Sequence, residues 1–345
     1  MQFTKKERLL QALNFKGVDR PPVIIPGGMM AGVLYSIIRD EHLPYPGIHT
    51  EKDSMVRYAR RLQGVCEIDN YGVPFCMTVE AEDFGAPVDL GDPFKEPRVT
   101  GYIANRLDEI LDVKPDAYSR HKVTLQAIEE LSGENIPVIS NITGPVSLLT
   151  SLIEPTCVYR AMARQEREVK DALGHITSHL IDFAREQIQA GTDVIVVSDP
   201  GASGDIIGGR HFGECIAPSI KSIVDSVKSQ RIPVILHICG NILPLISHLD
   251  RISWDALSVD SVVNLRKLQE RLPGRALMGN VSTHLLAISD EKRAYKASKK
   301  AIEVSAILAP ACGLATSTVP KNLRAMVKAA REAGEKLVYK RTHDV

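Results

Sequence analysis

Short apolar runs punctuate the chain, each followed by a polar loop and a stretch of helical periodicity. The runs fall at residues 22–25, 64–69, 137–142, 193–198, 233–238, 256–259, 276–279 and 306–308. They are rich in Val, Ile and Leu and do not alternate with polar positions, as expected of strands buried on both faces. Between them, residues 122–132, 166–190, 212–229, 264–271, 291–304 and 320–333 carry helical patterns. Strand alternating with helix predicts parallel βαβ units. About eight such units close into a (β/α)8 TIM barrel, with an open doubly wound sheet as the alternative fold. A dinucleotide fingerprint is not expected, because Gly27-Gly28 after the first run is too short to form one.

Residues 40–120 break this rhythm, with prolines at 44, 46, 87, 93, 97 and 115. This segment reads as an elaboration of one barrel domain spanning residues 1–345, either a lid near the mouth or simple decoration. There is no internal repeat and no low-complexity tract.

Composition narrows the function classes. A length of 345 residues suits a single barrel with insertions. Basic and acidic residues balance at 42 each, without a basic stripe, so neither nucleic acid nor an anionic membrane is an expected partner. The opening MQFTKKERLL has no apolar signal region, and no run reaches transmembrane length, so a cytoplasmic protein is expected. The cysteines at 66, 76, 157, 215, 239 and 312 are too scattered for a disulfide framework. Near a histidine, reduced cysteines lean toward metal binding or catalysis; the others read as ordinary buried residues.

The strongest local feature is Pro233-Val-Ile-Leu-His-Ile-Cys-Gly-Asn241. Side chains two apart on a strand point the same way, so His237 and Cys239 share a face at the strand's C-terminal end. Barrel enzymes place their chemistry at that end. The run 306–309 leads similarly into Pro310-Ala311-Cys312-Gly313. In a closed barrel Cys312 joins His237 and Cys239 at one mouth, and three protein ligands leave a metal position open for substrate. Taken singly, each cysteine reads as a small core residue and His237 as a satisfied buried histidine; the combination favours a metal. Two thiolates make an electron-rich zinc site, better suited to activating a thiol for alkyl transfer than to activating water.

Asp199 ends the run 193–198 and reads as an active-site acid, base or substrate anchor, or as a turn cap. Asp260 ends the run 256–259 and reads as a displaceable fourth ligand, or as a loop salt bridge or cap. In Tyr71-Gly-Val-Pro-Phe-Cys-Met-Thr-Val-Glu-Ala-Glu-Asp-Phe-Gly85, Glu80 and Glu82 read as solvated or capping in preference to catalytic. Asn141, in Ser140-Asn-Ile-Thr-Gly-Pro145, is a candidate ligand contact. His175, His179, His211 and His284 read as surface residues.

These segments carry a family resemblance. Glu7-Arg-Leu-Leu-Gln-Ala-Leu13 with Val18-Asp-Arg-Pro-Pro-Val23 resembles the start of the uroporphyrinogen decarboxylase superfamily. The similarity continues through Asn141-Ile-Thr-Gly-Pro145, Ser198-Asp-Pro200 and the C-terminal helix, covering nearly the whole chain. His237-Ile-Cys-Gly-Asn241, Met278-Gly-Asn-Val-Ser282, Leu308-Ala-Pro-Ala-Cys-Gly313 and the PFCMTVEAE run are similar to the methylcobamide:coenzyme M methyltransferase branch. The resemblance implies a zinc-bearing barrel that takes a methyl group from a methylated corrinoid protein and gives it to a thiol. It implies His237, Cys239 and Cys312 as zinc ligands, with Asp260 where a carboxylate ligand can sit. Glu80, Asn141 and Asn280 are the candidates for contact with substrate or corrinoid.

The decarboxylase itself matches less well. The resemblance implies arginines after the first strand and an aspartate in the next strand region; here residues 26–32 hold no arginine, and Pro74-Phe75-Cys76 holds no aspartate. Relatives that demethylate methoxylated aromatics or methylamine-type donors are the other enzymatic alternative, with metal motifs richer in carboxylates. A zinc-bearing accessory or corrinoid-binding protein is the non-enzymatic reading, disfavoured by motif placement at strand ends.

Overall fold

The computed structural model describes residues 3–27, 32–164 and 166–343, with side chains through residue 334. Residues 28–31, in the first loop compared above with the decarboxylase, lie outside the described residues. The strands in chain order are β1 (Tyr71–Val73), β2 (Val88–Asp89), β3 (Arg98–Val99), β4 (Val138–Thr143), β5 (Val194–Ser198), β6 (Val234–Ile238), β7 (Ala256–Val259) and β8 (Ala276–Met278). Six of them form one parallel sheet in the order β1-β4-β5-β6-β7-β8, while β2 and β3 form a separate antiparallel ribbon.

Extended segments fill the remaining two barrel positions. Ile307 bridges Met278 of β8, and Leu308 bridges Val23. The Asp69 N–H donates to the Val23 carbonyl at 2.7 Å, just ahead of β1. Here the Asn70 side-chain amide replaces a strand ladder: the Ile25 N–H donates to its Oδ1, and its Nδ2 donates to the Ile25 carbonyl, both at 2.9 Å. One main-chain hydrogen bond and the Asn70 amide thus join the last seam of the barrel. The adjacent Pro21-Pro22 pair offers no N–H to extend the ladder.

One expected strand is absent. Residues 64–69 begin as the last turn of the helix Lys52–Cys66, which buries Met55, Tyr58, Ala59, Leu62 and Cys66 at helical spacing. Glu67, at φ 60°, ends that helix. Asp69 anchors the turn instead, accepting from Arg20 Nη1 at 2.7 Å and from the Val23 N–H at 2.8 Å. Residues 52–73 therefore belong to the barrel, and the irregular elaboration begins after β1.

The barrel wall divides the apolar residues in two. Ile139, Val194, Val196, Ile235, Ala256, Ala276, Met278, Ile307 and Ala309 cluster with Leu9, Ala12 and Leu13 of the helix Lys5–Leu13. A second cluster, including Val138, Ile195, Leu236 and Leu257, contains the alternate strand positions and helix residues. This is the period-two division of a strand between lumen and helix layer. The β2–β3 ribbon meets the barrel at a cleft of about 490 Å³, where Arg98 and Tyr102 face Thr143, Ser147 and Gly201. Among the described residues, no helix is long and apolar enough to cross a membrane.

Candidate metal centre at the barrel mouth

His237 shares the alternation of the inward-clustered Ile235 and lies near the end of β6. Its register partner on β7 is Ser258. His237 Nδ1 lies 2.9 Å from Ser258 Oγ, leaving Nε2 directed at sulfur. Cys239 Sγ is 3.2 Å from that Nε2 and 3.2 Å from Cys312 Sγ. The three donor atoms lie within 4.8 Å of one another. Gly240, at φ 70°, turns the chain immediately after Cys239; a Cβ there would lie 2.6 Å from Ser203 Oγ. Cys312 is drawn in from the other side, where the Val281 N–H donates to the Ala309 carbonyl and the Ala311 N–H to the Val281 carbonyl.

The contact between the two sulfurs pushes their pKa values in opposite directions. The hydrogen bond from Cys239 holds the Cys312 thiol well below the ordinary thiol range, against burial and with further help from His237. That bond, followed by burial and the charges of Cys312 and Asp260, pushes Cys239 up. A nitrogen and two sulfurs converging in this way fit a borderline divalent ion such as zinc. The Ser258 contact supplies the outer-shell orientation that a ligating imidazole requires.

The other expected residues take varied positions. Asp260 Oδ2 accepts from the Gly240 N–H at 3.3 Å, while Oδ1 accepts from Ser261 Oγ and the Val262 N–H. It braces the turn beside the sulfur pair. Asn280 Nδ2 donates to the carbonyls of Asp260 and Val263, bracing that same loop. Buried Asn141 donates to Ser198 Oγ at 2.8 Å inside the barrel.

Asp199 is buried, and its carboxylate accepts from the Val146 N–H, the Ser147 N–H and Ser147 Oγ. It caps the helix Pro145–Leu152, whose own N-cap residue, Gly144, has no side chain to do so. Burial raises its pKa to about 6, against those hydrogen bonds.

Glu80 is not solvated. It is buried, accepting from the Thr143 N–H at 2.6 Å and Thr143 Oγ1 at 2.9 Å, and burial raises its pKa. Glu82 accepts from Arg120 Nε at 2.7 Å. Buried Arg120 also donates to Cys76 Sγ, the Thr78 carbonyl and Thr78 Oγ1. His284 is exposed, but His179 is largely buried, with Nε2 3.1 Å from Asp83 Oδ2, and His175 is half-buried, with Nε2 2.8 Å from the Val113 carbonyl. The two-residue period that aligns His237 with Cys239 also aligns Ser258 with Asp260, a signal that could have identified Ser258. Arg120 has no comparable local signal.

Fold and site together define an α/β barrel with a candidate metal centre at its C-terminal mouth. The uroporphyrinogen decarboxylase (URO-D) family model matches residues 4–333, and the chain belongs to that family. The methylcobamide:CoM methyltransferase of Methanosarcina acetivorans is 28% identical over 337 residues, covering 96% of this chain and 98% of the relative. A methylcobamide:CoM methyltransferase from Methanosarcina barkeri is 28% identical over 343 residues, with the same coverages. A solved methyltransferase from Methanosarcina mazei superposes with a TM-score of 0.89 at 27% identity, covering 96% of this chain and 99% of that structure. The chain is a methyltransferase of this family.

Proposed function

We propose that the protein moves a methyl group from a methylated corrinoid, carried by a partner protein, to a small thiol such as coenzyme M. The observation carrying this reading is the convergence of His237 Nε2, Cys239 Sγ and Cys312 Sγ at the barrel mouth. Full-length similarity to methylcobamide:CoM methyltransferases supports the methyl donor and acceptor.

His237, Cys239 and Cys312 would hold zinc, with Ser258 fixing the imidazole and Asp260 and Gly240 setting the turn. Zinc bound there supplies positive charge that favours the acceptor's thiolate at neutral pH, while the sulfur-rich donor set leaves that thiolate nucleophilic. Asp260 is the candidate for a further carboxylate ligand, through its contact with the Gly240 turn. In the transfer, an S–CH3 bond forms, the Co–CH3 bond breaks and its electron pair stays on cobalt; the thiol proton leaves to solvent. The apolar barrel floor formed with Leu9 and Leu13 directs substrate access to the opposite end.

The test mixes purified protein with methylcobalamin and a panel of thiols, following the cobalt spectrum, the S-methyl product and metal content. The expected result is thiol methylation by protein containing zinc, with loss of both zinc and activity in Cys239→Ala. Uroporphyrinogen decarboxylation by metal-free protein, or corrinoid methylation dependent only on a methoxylated aromatic donor, would overturn the reading.

A further inference from the structure

We propose a second metal site, distinct from the sulfur-rich centre, at Asp83, His121 and His179, for a borderline divalent cation such as zinc. Three helices supply the donors: Val79–Asp83, Ser119–Leu131 and Glu166–Gln189. Asp83 and His121 are buried, and His179 is 11% exposed at its side chain. Asp83 Oδ2 lies 2.7 Å from His121 Nδ1 and 3.1 Å from His179 Nε2; all three donors fall within 4.8 Å of one another.

Outer contacts orient this set. His121 directs its other nitrogen, Nε2, at Glu186 Oε2, 2.6 Å away. A carboxylate holding the far nitrogen of a histidine is the usual support of a ligating imidazole. The second Asp83 oxygen, Oδ1, accepts from the Tyr118 N–H at 3.3 Å. Each of these two side chains therefore points one polar atom into the cluster and has the other held from outside.

Charge balance also allows a cation. With neutral imidazoles, Asp83 and Glu186 carry two negative charges, and Asp83 is cut off from water. One divalent ion can neutralise them, as can two protons on the imidazoles. Two nitrogens and an oxygen suit zinc, nickel or cobalt better than magnesium or calcium.

The site lies at the neck of the elaboration. Residues 84–117 run between Asp83 and Tyr118, packing Phe84, Leu107 and Ile110 into the core; the Asp116 N–H donates to the Asp83 carbonyl at 2.9 Å. This excursion carries the β2–β3 ribbon, and Thr316 Oγ1, in the loop after Cys312, donates to the Phe94 carbonyl. An ion at the neck would clasp the ribbon's base to the Glu166–Gln189 helix.

Cobalt(II) titration of the metal-free full chain tests the proposal. Two equivalents should bind: one with thiolate-to-cobalt charge transfer in the near ultraviolet, the other without it. Cys239→Ser/Cys312→Ser should retain the second equivalent, and adding His179→Ala should abolish it. A single wild-type equivalent carrying thiolate charge transfer would mean that protons alone hold the cluster and would overturn the proposal. So would a folded double-cysteine variant that binds no cobalt, or binding unchanged by His179→Ala. The charge-transfer band reports the sulfur site separately, so failure of either site is visible without the other.

Discussion

His237 and Ser258 face each other across the β6–β7 pairing, with Nδ1 and Oγ 2.9 Å apart. The contact fixes the imidazole so that Nε2 meets Cys239 Sγ. Ser258→Ala should weaken metal binding by roughly ten- to a hundredfold, as loss of an outer-shell partner does. Competition with a chromophoric chelator checks this, with far-UV circular dichroism confirming retained fold.

Cys239→Ala and Cys312→Ala should each lower methyl transfer by about a thousandfold or more, because the metal's several kcal/mol of charge stabilisation goes with the ligand. Stopped-flow cobalt absorbance at saturating thiol and metal analysis of the variants measure the two losses. Activity retained at the wild-type rate in a variant without metal would contradict the assignment.

Asp199 makes stability depend on pH in a defined direction. Its folded pKa is raised from 3.8 to about 6, so the folded state binds more protons between those values and stability falls as pH rises through that window. Relative to Asp199→Asn, the wild type should lose about 3 kcal/mol of unfolding free energy between pH below 4 and pH 7. Urea unfolding of both proteins at the two pH values checks this; a parallel dependence would show that Asp199 is not its source.

Arg120 is 2% exposed and satisfies Glu82, Cys76 and Thr78 together. Arg120→Ala should destabilise the protein by about 3 kcal/mol or more, by leaving these groups without their shared donor. Denaturant unfolding reads the loss. Adding Glu82→Gln should recover part of it, because the stranded carboxylate charge is removed.

The apolar runs made β4 to β8 legible, with boundaries within about a residue, because strands buried on both faces are nearly continuous in Val, Ile and Leu. The run 64–69 misled: the same residues can close a helix, and apolar content alone does not set the period. Glu80 misled for a related reason, since its hydrogen-bond donors are a backbone N–H and a hydroxyl 63 residues away.

The sequence by itself determined the inward pairing of His237 with Cys239, because alternation along a strand is a local property of the backbone. It also carried the family resemblance. Tertiary structure alone decided that Cys312 reaches them across 73 residues, that Ser258 orients the imidazole, and that Asp199 caps a neighbouring helix. It alone gathered Asp83, His121 and His179 from three helices. Strand period dictates which face a side chain takes; closing the barrel and packing its helices dictates which distant faces meet.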